Sequence, residues 1–430
     1  MGKFGYNIEI SGVVFTYYIG GFKMVPEQKP SYLYILTGML VSLVAISFAR
    51  LAYGVVLPFM KEGLSISYKM AGLLGTITSL GYLVTVMFAG VVSTKWGEKR
   101  AILCGLSLIT IGFLNLSYTA SYIYSSIFMF LLGIGTAFTF TPLISVLIQW
   151  FPAQRGLVIG FVNSGAGIGV FITGALVPFL HSLYPETDWR ITWRIFCILS
   201  VLVCLMVLLI IKNPPMKKTA ATEPPVLPRQ IYTDRNVIRV ALIYGVVGLT
   251  YITQSIFMMS FMLDEGLKAQ HAGKLIAIGG ILSILSSPIW GGISDRLGRK
   301  SALLLAMAFN LLSTIAPILM PNSFGFTVNL LIQGIVNTGV FTMVQTLSTE
   351  QVHPRYATLS FSYATFYFAV GQFIGPTLAG LAIDYVGFTS IFSLSAVWMA
   401  AALYLVTKVP TKTELQTSMS IEPEKGNVNI

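Results

Sequence analysis

Apolar residues run in long, almost unbroken blocks along this chain. Twelve blocks approach the ~20 residues that a helix needs to cross the hydrocarbon of a bilayer. They lie at about 33–59, 70–94, 101–119, 122–148, 157–181, 193–211, 237–263, 272–294, 301–320, 324–349, 357–383 and 388–407. Most charged residues fall in the breaks between them. One break is longer: Lys212 to Arg235 is polar and carries Pro214, Pro215, Pro224, Pro225 and Pro228. The pattern predicts an all-α membrane protein of 12 transmembrane helices in two six-helix, pseudo-symmetric halves. It divides into a cytoplasmic N-terminal segment (1–32), a first half (33–211), a cytoplasmic linker (212–235), a second half (236–407) and a disordered cytoplasmic tail (408–430).

The halves repeat one another. Lys61-Glu62-Gly63-Leu64 follows the first block and Asp264-Glu265-Gly266-Leu267 the seventh. Ala71-Gly72 opens the second and Ala272-Gly273 the eighth. Trp96-Gly97 follows the second and Leu297-Gly298 the eighth, at an offset near 200. Two parallel halves with a midplane site between them are a known carrier plan.

Composition agrees: 55% of residues are apolar and only 10% charged, too few charges to cover a water-exposed surface. The formal charge of +11 hints at nucleic acid, but its placement argues otherwise. With the N-terminus inside the cell, most basic residues fall in cytoplasmic segments, among them Lys95, Lys99, Arg100, Arg155, Arg296, Arg299 and Lys300. The outer turns hold Lys61, Lys69, Arg190, Arg194, Lys268 and Lys274. This positive-inside bias puts both termini in the cytoplasm and the chain in the cell membrane, and no nucleic-acid partner is needed. Val13 to Phe22 is too short to span and has no cleavage site, so the first block serves as the uncleaved signal. Met24 offers a second start, which would make residues 1–23 an extension.

Cys104, Cys197 and Cys204 sit in apolar blocks and read as small buried hydrophobes. His181, His271 and His353 are scattered. No metal-ligand spacing, nucleotide loop or cofactor motif is present. Gly165-Ala-Gly167-Ile-Gly169 has no strand before it and lies in a membrane block, where small residues permit close helix packing. No paired carboxylates or nucleophile with its base suggest an enzyme.

Gly291-Gly-Ile-Ser-Asp295-Arg296-Leu-Gly298-Arg299-Lys300, between blocks eight and nine, fits the loop signature G-x-x-x-D-R-x-G-R-[RK] of the major facilitator superfamily at each diagnostic position. The chain thus resembles that superfamily over almost its whole length. The first-half copy, Gly90-Val-Val-Ser-Thr94-Lys95-Trp-Gly97-Glu98-Lys99-Arg100, has Thr94 where the family has Asp. Trp150-Phe151-Pro152-Ala153-Gln154-Arg155-Gly156 resembles a segment of monocarboxylate and oxalate–formate carriers. Phe48-Ala49-Arg50 to Pro58 resembles poorly characterised bacterial facilitators. The resemblance implies a secondary carrier working by alternating access as a monomer. It also implies a conformational gate at Gly291, Asp295, Arg296, Gly298 and Arg299 that latches the halves in the outward-facing state; plain positive-inside anchoring is the alternative. Asp295, at a helix end, can meet the positive N-terminus of a neighbouring helix. Spans 1, 4, 7 and 10 are expected to line the cavity, with 3, 6, 9 and 12 outermost.

Polar residues concentrate where that plan expects them. Span 7 has Thr250, Thr253, Gln254 and Ser255. Span 10 has Gln333, Asn337, Thr338, Thr342, Gln345 and Thr346, while span 6 has no strongly polar side chain from Ile195 to Ile211. Arg50 lies near the middle of span 1, where an Arg costs about 2.5–3.5 kcal/mol on insertion scales and avoids lipid. On an α-helix Ser47, Arg50, Tyr53 and Gly54 share one stripe. None of the 16 acidic residues is central in a span. An anionic substrate, such as a carboxylate, would complete the guanidinium in two-point geometry; backbone carbonyls, water or a helix-end carboxylate are the alternatives. Candidate substrate residues are therefore Arg50, Tyr53, Ser47, Thr253, Gln254, Gln333 and Asn337, the amides serving either solute binding or helix joining. The solute is a small molecule, expected to be anionic. An exporter of drugs or amphipathic compounds is the rival, and a ligand-sensing receptor with a carrier fold is the rival of another class.

Overall fold

The computed structural model describes residues 6–10, 13–18, 21–24, 32–151, 155–213, 232–352 and 356–411. The linker segment 214–231, the tail 412–430 and residues 152–154 of the Trp150 motif lie outside them. Near the N-terminus, strands β1 (Tyr6–Ile10), β2 (Val13–Tyr18) and β3 (Gly21–Met24) pair as an antiparallel meander that the sequence pattern did not suggest.

The membrane body is helical. The first half contains α1 (Tyr32–Leu64), α2 (Tyr68–Trp96), α3 (Glu98–Leu116), α4 (Tyr122–Trp150), α5 (Arg155–Leu183) and α6 (Asp188–Ile210). The second contains α7 (Arg235–Asp264), α8 (Ala269–Leu297), α9 (Arg299–Leu319) and α10 (Ser323–Glu350). A last helical stretch, Ala357–Thr407, breaks at Gly387 (φ 75°, ψ 174°) into α11 (357–386) and α12 (388–407). All twelve expected spans are present. Apolar side chains such as Leu202, Leu205, Leu208 and Leu209 on α6 remain exposed, which suits lipid contact. Cys104 also faces outward from α3, not into the core as its apolar block suggested.

The repeat is written in the turns. Gly97 (φ 89°) joins α2 to α3, and Gly298 (φ 85°) joins α8 to α9. Only a residue without Cβ takes that backbone at low cost. Between α1 and α2, Ser65 (φ 53°) holds the left-handed position that Gly266 (φ 82°) holds between α7 and α8. The closing bonds match: Ile66 N donates to Lys61 O, and Leu267 N to Met262 O. Ser65, and not Gly63, is thus the counterpart of Gly266. The Glu-Gly-Leu likeness is out of register by two residues. Gly63 instead packs against the Trp189 ring.

Among the described residues, the contacts between the halves gather toward one end. That end carries the turns at 65–67, 184–187 and 265–268, and is called here the far end; the other, where 32 and 407 lie, is the terminal end. A Cβ on Gly54 of α1 would strike the backbone of Ser255 of α7. Gly72 of α2 lies against Pro376 and Gly380 of α11, and Gly273 of α8 against Gly174 and Pro178 of α5. Thr76 Oγ1 is 2.6 Å from Thr377 Oγ1. Asp384 of α11 accepts from the backbone N–H of Tyr68 (3.1 Å) and Lys69 (2.9 Å), capping α2 from the opposite half. Gly165 and Gly169 contact Met39 and Ser47 of α1, and Gly167 contacts Gly280 of α8, so the glycine-rich stretch is a packing surface. At the terminal end the described polar contacts run within a half, and Gly90, Gly160, Gly291 and Gly292 face open space.

Candidate substrate site

Arg50 sits on a stretch of α1 that is not α-helical. Residues Leu43–Leu51 form a π-helix, closed at its end by Ala52 N–H to Ser47 O. Such segments are uncommon and often mark functional positions. The wider turn changes which side chains share a face. Ser47 is fully buried against Gly169 of α5, and its hydroxyl has no partner. Tyr53 is 2% exposed and donates to Ala71 O of α2 at 2.7 Å. The expected Ser47–Arg50–Tyr53 stripe is therefore divided among three neighbours, because it assumed α-helical periodicity.

Arg50 alone of that set points into the seam. Its Nη2 donates to Gln372 Oε1 of α11 at 2.7 Å, across the two halves. Its guanidinium lies over the Tyr82 ring of α2, 4.6 Å from the centroid. Tyr251 of α7 is its other electrostatic neighbour. Tyr251 packs edge-on against Phe341 of α10, which meets Phe368 of α11. Among the described residues no carboxylate lies within 4 Å of Arg50. One neutral acceptor serves a group with five N–H donors. Around Arg50 the seam thus presents a cation beside aromatic rings and one amide.

The second-half amides form a network of their own that meets the seam at Tyr251. Gln254 is 3% exposed; its Nε2 donates to Thr314 Oγ1 of α9 at 3.2 Å, and its Oε1 accepts from Gln333 of α10. Asn310 of α9 donates to Asn337 at 2.6 Å. Thr253 is buried against Gly375 of α11. Gln254, Asn310, Gln333 and Asn337 line a small void with Met399 of α12 and Tyr251. This network lies inside the second bundle and joins α7, α9 and α10. Tyr82, Tyr251 and Gln372 were not among the sequence candidates; they lie on α2, α7 and α11, and only the fold brings them to Arg50.

The loop cluster is a local one. Arg299 reaches Asp295 (3.4 Å), Glu350 of α10 (3.4 Å) and Ser294 Oγ (3.1 Å). Asp295 meets this side chain at the start of α9. Arg296 is exposed. In the first half, Glu98 accepts from Gln149 of α4 at 3.1 Å. Glu98 and Gln149 occupy the positions 201 residues before Arg299 and Glu350. The contact between the two helix ends is kept while its charges differ.

Two six-helix bundles sealed at one end, around a seam with one uncompensated cation, define a multi-pass membrane carrier. The family model of the Major Facilitator Superfamily matches residues 39–376 and 266–424, and the chain belongs to that superfamily. It is 22% identical to a hexuronate transporter of Bacillus subtilis over 267 residues, 59% of this chain and 62% of that protein. It is 23% identical to mouse monocarboxylate transporter 12 over 375 residues, 76% of this chain and 74% of that one. The fold matches a bacterial homologue of the human lysosomal transporter Spinster, crystallised inward-facing and occupied. That match has a TM-score of 0.71 and 16% identity, over 92% of this chain and 98% of that chain. The chain is thus a transporter of that superfamily.

Proposed function

We propose that this transporter moves a small organic anion by alternating access, with the solute carboxylate on Arg50 between Tyr82, Tyr251 and Gln372. The observation that carries it is the Arg50 guanidinium, held at the seam by one neutral acceptor and no carboxylate. A carboxylate would neutralise it and use two parallel donors at once. The names of relatives, a hexuronate and a monocarboxylate transporter, agree with an anion.

The positive-inside bias assigns the terminal end to the cytoplasm of a cell-membrane protein, which makes the far end extracellular. The structure is then the inward-facing state. In the outward-facing state Asp295, Arg296 and Arg299 would meet the first half, latching the end that is parted here. One monomer contains a complete seam.

The rival reading, an exporter of amphipathic compounds, draws on the aromatic lining at Tyr82, Tyr251 and Phe341. Uptake of radiolabelled pyruvate and glucuronate into proteoliposomes separates the two. Wild type should accumulate or exchange an anion, and Arg50→Ala should lose at least tenfold of it. Wild type that moves only lipophilic cations would end the anion assignment. A ligand-sensing receptor would bind solute without flux.

A further inference from the structure

At the far end, where α5 turns into α6, lies a titratable pair that solute binding at Arg50 does not use. Asp188 opens α6 and is 1% exposed. Its Oδ2 is 2.9 Å from His181 Nδ1 of α5. Its Oδ1 is buried without a side-chain donor. The His181 side chain is 33% exposed and lines an open pocket with Phe59, Glu62, Gly63, Pro185, Glu186 and Trp189.

Among the described residues, three acids face this pocket or the pair. Glu62 comes from α1, Glu186 from the α5–α6 turn and Asp188 from α6. The neighbouring cations are turned away: Lys61 lies over the Tyr68 ring at 4.4 Å, and Arg190 lies over the Trp189 ring at 4.2 Å while donating to Thr119 O. The imidazole therefore stands among three acids with no cation directed at it. Its ring also rests on Phe59 of α1, centroids 4.3 Å apart, and an aromatic face attracts a cation more than a neutral ring.

We propose that His181 and Asp188 form a proton-binding site open to the far-side solution, and that a proton held there strengthens the far-end seal. One proton enters from water at Nε2. Nδ1–H stays on Asp188 Oδ2, and the charge of the pair goes from −1 to 0. The imidazolium then binds Asp188 of α6 as an ion pair and Phe59 of α1 as a cation on a ring. α1 and α5 carry two of the cross-half contacts. Gly54, five residues before Phe59, packs on Ser255, and Pro178, three residues before His181, packs on Gly273. Tying α1 to α5 holds both contacts in register. When the far end opens, the pocket hydrates and the proton returns to the solution it came from. It biases the conformational balance and is not carried across.

Spin labels on Ala120→Cys and Pro321→Cys, in a background with Cys104, Cys197 and Cys204 replaced, would read far-end separation in lipid nanodiscs. Both label positions are exposed, one in each half. As pH falls from 7.5 to 5.5 the ratio of open to sealed molecules should fall about tenfold, within the usual range of coupling. His181→Gln keeps a hydrogen-bond donor without titrating and should be flat with pH, as should Asp188→Asn. Glu62→Gln and Glu186→Gln should keep the response. A pH-independent wild type would overturn the proposal. So would a response that survives in His181→Gln, or one lost in Glu62→Gln but kept in His181→Gln. None of these readouts requires a solute, so they stand apart from the anion assignment at Arg50.

Discussion

Arg50 and Tyr53 are three residues apart and do unlike work. The Tyr53 hydroxyl is spent on the Ala71 carbonyl, so Tyr53→Phe should cost about 1 kcal/mol of stability, read by thermal unfolding, and leave solute affinity unchanged. At Arg50 the shape of the cation matters along with its charge. Arg50→Lys keeps the charge but not the fork, so equilibrium binding of a carboxylate should weaken by at least tenfold. Gln372→Glu would supply an internal counter-ion and should weaken anion binding similarly, with folding intact. If Gln372→Glu bound anion as well as wild type, Gln372 would not share the site. That a cation lies inside span 1 was legible from one letter in an apolar block. What surrounds it was not: Tyr82, Tyr251 and Gln372 come from three other helices, and nothing in a single sequence brings them together. Asp188 was equally hidden. It stands at a helix end like other acids, and only the fold puts it beside His181.

At the scale of the element, spans are the most legible feature, because lipid demands a long apolar run wherever a helix crosses. The register of a helix is less so. Leu43–Leu51 has no proline or glycine to announce a π turn, yet the wider turn sends Ser47 toward α5 and Tyr53 toward α2. The turns hold a further lesson. Gly63 and Gly266 look equivalent by letter, but the left-handed residue of the first half is Ser65. A non-glycine residue there bears about 1 kcal/mol of strain. Ser65→Gly should therefore raise the unfolding midpoint slightly, whereas Gly63→Ala should lower it by pressing on the Trp189 ring. Thermal melts of the two variants check both signs. The amides of α7 and α10 mark a limit of polar counting. Buried polar groups need partners, and these find theirs on one another and on α9, around a void that Tyr251 also lines.

At the scale of the molecule, the offset of 201 relates contacts as well as turns. Gly54 and Ser255, which touch across the axis, are themselves 201 positions apart. The α2–α11 contact corresponds to the α8–α5 contact in the same way. Rocking of one half against the other must break all three together. A disulfide between Thr76→Cys and Thr377→Cys would join the halves at the far end, where the native hydroxyls are 2.6 Å apart. Oxidation should abolish flux and reductant should restore it, with both cysteines needed. Flux that persists after complete cross-linking would place the moving parts elsewhere.

The cap on α2 is borrowed from the other bundle. Asp384 can serve the amides of Tyr68 and Lys69 only while the far end is shut. Each excursion to the open state must hand those two N–H groups to water. Their deuterium uptake, followed by mass spectrometry on unlabelled protein, therefore counts openings directly. The protein carries a built-in clock for its own cycle.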